Sequence, residues 1–563
     1  MIFDPSIRMI ASRSRIFFMV LVFVMGGPML FGQTVQWASE VVTFSSEFKD
    51  KNKSPRYRAI QILGKPNAMP QGGENPCAWS PKRKSRLFKE YIIVGFKSPM
   101  QIKQVAVAES HNCGTIVGIT LIDDQGKYHK IETESSCGPD QNSNMHRVMM
   151  PLTDYKVKEV IVYMKTKRTD GWNHIDAIGI SDSDEPIKAE INEVTHDEDL
   201  KLEILSTNVN SEWDDVKPMI SPDGKHLFIV RKGHPENIGT EGNDDVWISD
   251  KRNGEWGPAI NAGTPLNNKD HNYVNGVSPD GNVVLLGNIY GTNGNTGKGL
   301  SISNLRNGEW SFPTPLNIQN FYNYSKYMEA HISGNLNTIV MAVWRKGTYG
   351  NKDLYVSFNQ GDNNWTEPKN LGPLLNTASD EIAPFLAPDG KTLYFSSSGF
   401  SGYGGYDIYM THRLDDTWQN WSEPVNMGPV INSEGWDAYL SLDAEGEYAF
   451  LSRKTESSTT ETDIYRIHLD EAARPEKMQV VEVRLNGMKD DEQALLSYAS
   501  VQRADLSGIA YSKKDENGHV VHFTANMDGQ FMLIINVPGY KSIKHELNVA
   551  EGASVEFTLE PSQ

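Results

Sequence analysis

One pattern recurs five times between residues 200 and 470 and leaves few folds open. In its fullest copy, Asp380 to Ala387 leads into Pro388-Asp389-Gly390, then Lys391-Thr392-Leu393-Tyr394-Phe395, a glycine-rich loop, and Gly405-Tyr406-Asp407-Ile408-Tyr409. Trp421-Ser422-Glu423-Pro424 and Met427-Gly428-Pro429-Val430-Ile431-Asn432 complete it. Pro fixes φ, Asp bonds its own backbone and Gly accepts a positive φ, so Pro388-Asp389-Gly390 is a tight turn. The short aromatic and β-branched runs between breakers read as strands. The other turns are Ser221-Pro222-Asp223-Gly224, Ser278-Pro279-Asp280-Gly281, the degenerate Ser333-Gly334-Asn335, and Asp443-Ala444-Glu445-Gly446. Four short antiparallel strands at a period of roughly 55 residues cannot cover both faces of their own sheet, so neighbouring copies must cover them. This predicts an all-β chain whose centre, residues 200–472, is a β-propeller of five blades, or six if a further unit hides in 186–210.

The ends of the copies predict how the ring closes. Leu266-Asn267, Leu375-Asn376 and Ile431-Asn432 end copies one, three and four, whereas the fifth passes into the polar Asp470 to Pro475. The missing ending stands before the first copy, at Leu205 to Asn210. Residues 200–205 are therefore expected to form the outer strand of the fifth blade beside 463–468, leaving no free edge.

Two further segments flank the repeat. Residues 33–185 show alternating apolar runs, such as Tyr91 to Phe96 and Val160 to Tyr163, with almost no helical periodicity, and read as a β-sandwich. Residues 478–563 hold about seven short strands and read as a second, smaller sandwich. Residues 186–199 are acidic and read as a solvated linker. Arg13 and Arg15 precede an apolar run from Ile16 to Met25 that Gly26-Gly27-Pro28 interrupts. Residues 1–32 thus read as a signal peptide, with an uncleaved anchor as the alternative, and the chain is expected outside the inner membrane, in the periplasm or on the cell surface. No transmembrane segment is expected in the mature chain.

The turn, loop and Gly-Tyr-Asp-Ile-Tyr pattern of the repeat resembles the TolB-type, WD-like propeller of exported bacterial proteins. Gly299 and Asn335 depart from its aspartates, so Asp245, Asp353, Asp407 and Asp463 are expected to anchor loops to the backbone, not to bind metal. Trp37 to Val42, Ala59 to Asn67, Val105 to Ser110 and Trp172 to Ile178 resemble a galactose-binding-like, discoidin-type jelly roll. That resemblance implies a ligand site on loops at one end, with Trp79, Asn112, Trp172, Asn173 and His174 as candidates for stacking on and bonding a sugar. The Asn526-Met527-Asp528-Gly529 turn and the closing Leu547-Asn548-Val549 and Val555 to Leu559 runs resemble the carboxypeptidase regulatory-like, transthyretin-type domain.

Chemistry is harder to read. The formal charge of −18 speaks against a nucleic-acid partner, whose phosphates need a basic face. A Gly-x-Ser-x-Gly elbow, a His-Glu-x-x-His helix, a Cys-x-x-Cys pair and a phosphate loop are all missing. The expectation is therefore a non-enzymatic binding or scaffold protein of the bacterial outer envelope, without cofactor or metal. Its expected partners are envelope or type IX secretion-machinery proteins, with glycan or peptidoglycan as a further partner. The alternatives are a carbohydrate-binding surface protein and a propeller-type glycan hydrolase or lyase. Two facing carboxylates in the central funnel would favour the enzyme; clustered aromatics on the jelly-roll loops would favour the sugar reader. Of the three cysteines, Cys113 and Cys137 flank two strands joined at Asp123 to Gly126. Residue 113 is expected opposite 136, so a Cys113–Cys137 disulfide is expected, with Cys77 free.

Overall fold

The computed structural model describes residues 34–49, 54–84, 89–196, 200–239, 242–361, 363–454, 462–489, 494–500, 507–515, 518–551 and 553–562. The leader read over residues 1–32 lies outside them. No α-helix occurs among the described residues, and no helix is long and apolar enough to cross a membrane.

Five successive antiparallel sheets make the propeller. Their innermost strands are Asp214–Ile220 (blade I), Val274–Val277 (II), Glu329–Ile332 (III), Glu381–Leu386 (IV) and Ala438–Leu442 (V). Each touches the next, and that of blade V touches that of blade I, so the ring closes. The short strand Leu202–Ile204 supplies the outer edge of blade V: Leu202 faces Ile467, Glu203 faces Arg466 and Ile204 faces Tyr465, antiparallel. The seam is apolar. Leu205, Val209, Leu227, Ile229, Trp247, Phe450 and Ile464 form one buried cluster across blades I and V, each fully buried aliphatic side chain contributing about 1.5–3 kcal/mol.

The endings of the repeats have a physical function. Asn267 Oδ1 accepts the Val246 N–H at 2.8 Å and its amide donates to Val246 O at 2.8 Å. Asn376 does the same to Leu354, and Asn432 to Ile408. Asn210, from before the first blade, does it to Ile464 of the fifth, at 2.8 and 3.0 Å. An amide suits this place because it both donates and accepts, closing the buried backbone of the third strand where the fourth turns away. The aspartates act as loop anchors. Asp245 accepts from Ile238 N, Asp353 from Tyr349 N and Gly350 N, and Asp407 from Tyr403 N and Gly404 N. The loop before Asp463 lies outside the described residues. Four turns place Gly224, Gly281, Gly390 and Gly446 at φ of 67–71°, but in the degenerate third copy Leu336 takes that left-handed position, at φ 55°.

The N-terminal unit is a two-sheet sandwich. Val35–Trp37, His174–Ser181, Gln104–His111 and Asn144–Met149 form one sheet; Glu40–Phe44, Glu90–Met100, Val157–Met164, Ile116–Asp123 and Tyr128–Ile131 form the other. Ile92, Val107, Ile119, Val162 and Ile178 share the core between them. Cys113 and Cys137 are joined, Cα atoms 5.7 Å apart, and Cys77 is free and buried. The register differs by one place from the expected one. Ile122 faces Tyr128 and Ile119 faces Ile131, which, continued, sets Cys113 opposite Cys137 itself. At the other end, two four-stranded sheets between Met478 and Thr558 enclose Val481, Leu496, Phe523 and Leu533.

The segment read as a solvated linker is packed. Val194 N donates to Asn426 O and Asn426 N to Asn192 O, so the chain runs beside the outer strand of blade IV. His196 is wedged between Asp470 at 2.7 Å and Met427 O at 2.6 Å. Acidic composition marks solvent exposure only on average; here Ile187 and Val194 are apolar enough to be buried.

Candidate active site in the axial funnel

The innermost strands all begin at one end of the ring, and there residues of blades I, II, III and V surround a cavity of about 330 Å³. Lys217 of blade I, Tyr273 before the inner strand of blade II, Tyr327 and Glu329 of blade III, and Tyr439 of blade V line it, with Asp244 from the third strand of blade I. Backbone irregularity presents them. Lys217 and Tyr439 sit at φ 55° and 64°, where pairing with the second strand shifts register. Ala383 of blade IV has φ 48° at the matching bulge. Such residues avoid the left-handed region, at a cost of order 1–3 kcal/mol each, and bulges of this kind re-aim side chains next to functional sites.

Lys217 is buried. Its ammonium donates to Asn275 Oδ1 at 2.5 Å and lies over the rings of Tyr273 and Tyr439, at 4.4 and 5.6 Å. Burial lowers its pKa to about 7, with the Glu329 charge opposing the shift and Lys352 adding to it. Glu329 presents both carboxylate oxygens to Lys352 Nζ at 3.3 Å. Asp244 is in a different setting. Desolvation raises its pKa against the opposing pull of His271, whose Nδ1 is 2.9 Å from Oδ2, while Oδ1 is buried without a partner. Burial pushes Tyr273 and Tyr439 above the ordinary phenol range, and Glu329 and Asp244 line the same cavity. Trp436, 44% exposed and 5.4 Å from the Tyr439 ring, extends the aromatic wall at the rim.

The candidates on the N-terminal sandwich are brought together only in part. Asn112, Trp172, Asn173 and His174 meet at one end of the sandwich: Asn112 Nδ2 donates to Trp172 O at 2.6 Å, and Asn173 Nδ2 to Asn112 O at 2.9 Å. Trp79 is fully buried, its indole N–H donating to Ser46 O, so it belongs to the core and offers no face to a sugar. Trp172 packs edge-on to Phe48, and His174 lies between Tyr57 and His111, its pKa lowered to about 3 by burial. These rings are engaged with one another. Glu109 holds Thr115, and Asp176 accepts the N–H groups of Asn67, Ala68 and Met69. Among the described residues no group of three or more His, Cys, Asp or Glu is placed to hold a metal ion.

No family model and no curated protein matches the chain. Solved structures similar to it include an α-L-arabinofuranosidase from Lactobacillus brevis, at 9% identity over 48% of this chain and 97% of that one, TM-score 0.30. A glycoside hydrolase family 32 protein from Bifidobacterium adolescentis is similar at 10% identity over 84% and 95%, TM-score 0.30. The WD40 repeats of RRP9 are similar at 11% identity over 48% and 98%, TM-score 0.27. At these values the likeness concerns architecture alone. Glycosidases and glycoside hydrolases recur among the similar structures, against the expectation of a non-enzymatic scaffold. That expectation rested on missing motifs of nucleophile, zinc and phosphate chemistry, none of which a glycosidase needs. Two carboxylates brought together from different blades, as Asp244 and Glu329 are, carry no local sequence signature.

Proposed function

We propose that the chain cleaves glycosidic bonds in the axial funnel. The observation that carries this is the convergence of two carboxylates in contrasting environments within one aromatic-walled cavity. Two carboxyl groups held in different surroundings can divide the labour of acid and base. Burial raises the Asp244 carboxyl above its ordinary range, the direction a general acid needs to protonate the leaving oxygen. Glu329, facing Lys352, is the carboxylate that activates water or attacks the anomeric carbon. Tyr273, Tyr327 and Tyr439 supply faces for the C–H side of a sugar ring.

In this reading the repeat is a TolB-type propeller, the discoidin-type jelly roll holds the substrate side, and the regulatory-like sandwich closes the opposite face. The leader read over residues 1–32 puts the site outside the inner membrane, where polymeric glycan is found. The test is release of reducing ends from a panel of neutral and acidic polysaccharides by the purified chain. Turnover that Asp244→Asn and Glu329→Gln each reduce by about 100-fold or more is expected; no release from any polysaccharide, or release that both variants leave intact, refutes the reading.

A further inference from the structure

Among the described residues Lys217 has no counter-ion. Its one hydrogen-bond acceptor is the neutral Asn275 Oδ1, and the carboxylate whose charge reaches it, Glu329, faces Lys352 with both oxygens. An unpaired buried ammonium is costly unless something restores an anion to it. The cation lines the cavity, so a ligand can reach it.

The same sign continues outward. Lys232 lies at the funnel wall and Lys326 at its rim; Lys346 lies in a second cavity of about 310 Å³, lined also by Tyr324 and Trp344. Among the described residues none of Lys217, Lys232, Lys326 and Lys346 makes an ion pair with a carboxylate. The loop joining the cavities is pinned by Asn323, which accepts from Ser325 N and Trp344 N and donates to Tyr327 O. It holds out Tyr324, 59% exposed, and Tyr327, 54% exposed. Three residues apart, their Cα atoms stand at most about 11 Å from one another. A chain of net charge −18 concentrates unpaired lysines on one aromatic path. Lysines without a carboxylate partner, set along the path outward from Asp244 and Glu329, attract a ligand of the opposite sign.

Resting on the proposed glycan chemistry, we infer that the substrate is a linear acidic glycan. One carboxylate or sulfate group sits on Lys217 Nζ, and neighbouring sugars run over Tyr327 to Tyr324 and Lys346.

The test is calorimetric binding to the full chain carrying Asp244→Asn, which keeps the probe intact. The probes are tetrasaccharides of oligogalacturonate and alginate (uronates), of a sulfated galactan, and of unsulfated galactan and xylan (neutral). At least one acidic tetrasaccharide is expected to bind 10-fold or more tighter than either neutral one; which arm binds assigns carboxylate or sulfate. Adding Lys217→Met is expected to weaken that binding about 10- to 100-fold, the range of a charged hydrogen bond. The surface variant Lys346→Ala is expected to weaken a tetrasaccharide several-fold and a disaccharide not at all. In the unaltered side-chain setting of Lys217, acidic-glycan affinity should fall as pH rises above about 7. Glu329, Asp244, His271, Lys352, Tyr273 and Tyr439 face the same space, so the fall must persist in His271→Asn and vanish in Lys217→Met. Equal or tighter binding of a neutral tetrasaccharide, or indifference of acidic binding to Lys217→Met, overturns the inference while leaving glycan cleavage standing. Absence of binding to every probe overturns both.

Discussion

His331, on the inner strand of blade III, shows how much a single side chain in this ring depends on its charge state. It is buried, packs on Phe385 at 4.4 Å, and accepts the Leu386 N–H through Nδ1 at 3.2 Å. Burial lowers its pKa to about 3, with the Lys217 charge adding to the shift. The sign follows directly. The unfolded chain takes up this proton near its ordinary value and the folded chain does not, so the stability His331 contributes is complete above about pH 6.5 and is lost as pH falls toward 3. Between pH 6.5 and 4 the loss amounts to about 3 kcal/mol. His331→Leu leaves the Leu386 N–H without its acceptor, costing about 1–3 kcal/mol at pH 7. That deficit should shrink or reverse by pH 4 in urea titrations of the two proteins; a constant deficit would contradict the assigned charge state. Residue-scale facts of this kind were hardly visible in the sequence. Lys217, Ala383 and Tyr439 are types that avoid positive φ, so their bulges left no mark, and Asp244 and Glu329 sit in no motif. The loop-anchoring aspartates were legible because Asp before a strand, after a glycine-rich loop, has one obvious set of donors.

At the scale of elements, the clasp is the decisive feature. Leu202–Ile204 gives blade V the edge strand that its own sequence does not supply, and Asn210 locks Ile464 as Asn267 locks Val246. Asn210→Ala would leave the buried N–H and C=O of Ile464 without these partners, a cost of about 2–4 kcal/mol. Because Asn210 stands at the seam, the variant should also broaden the denaturation curve followed by tryptophan fluorescence, where Asn267→Ala only shifts it. An Asn210→Ala curve superimposable on the unaltered one would contradict the closure. Both the blades and the clasp could be read from the sequence, since turn chemistry and terminal Leu-Asn or Ile-Asn pairs repeat in register. The packing of residues 190–196 against blade IV could not, because one added segment has no second copy to be compared with.

Across the whole molecule, the flanking units meet opposite ends of the ring. Ser401 of blade IV donates to Pro66 O and Met69 O, and Asn75 donates to Ser398 O, seating the N-terminal sandwich beside the funnel mouth. On the turn side, His522 and Lys513 of the C-terminal unit reach Asp280, at 3.2 and 3.9 Å. Cys77 reports on the first of these contacts. It is buried, hydrogen-bonded to Thr377, and its thiol is pushed up to about 12 by desolvation. It should resist maleimide for hours in the native chain and react once guanidinium unfolds it; rapid native labelling would mean that the N-terminal sandwich swings away. The fixed seat matters because it leaves the funnel open on the side of Asp244, Glu329 and the exposed tyrosines. The claim that this funnel is an acid–base site is tested most directly by leaving-group dependence. With an aryl glycoside of the preferred sugar, whose phenolate departs without protonation, Asp244→Asn should retain most of its kcat/KM, while on the natural glycan it falls about 100-fold or more. Glu329→Gln should be crippled on both. Equal losses for Asp244→Asn on the two substrates, or full activity of Glu329→Gln on either, would contradict the account.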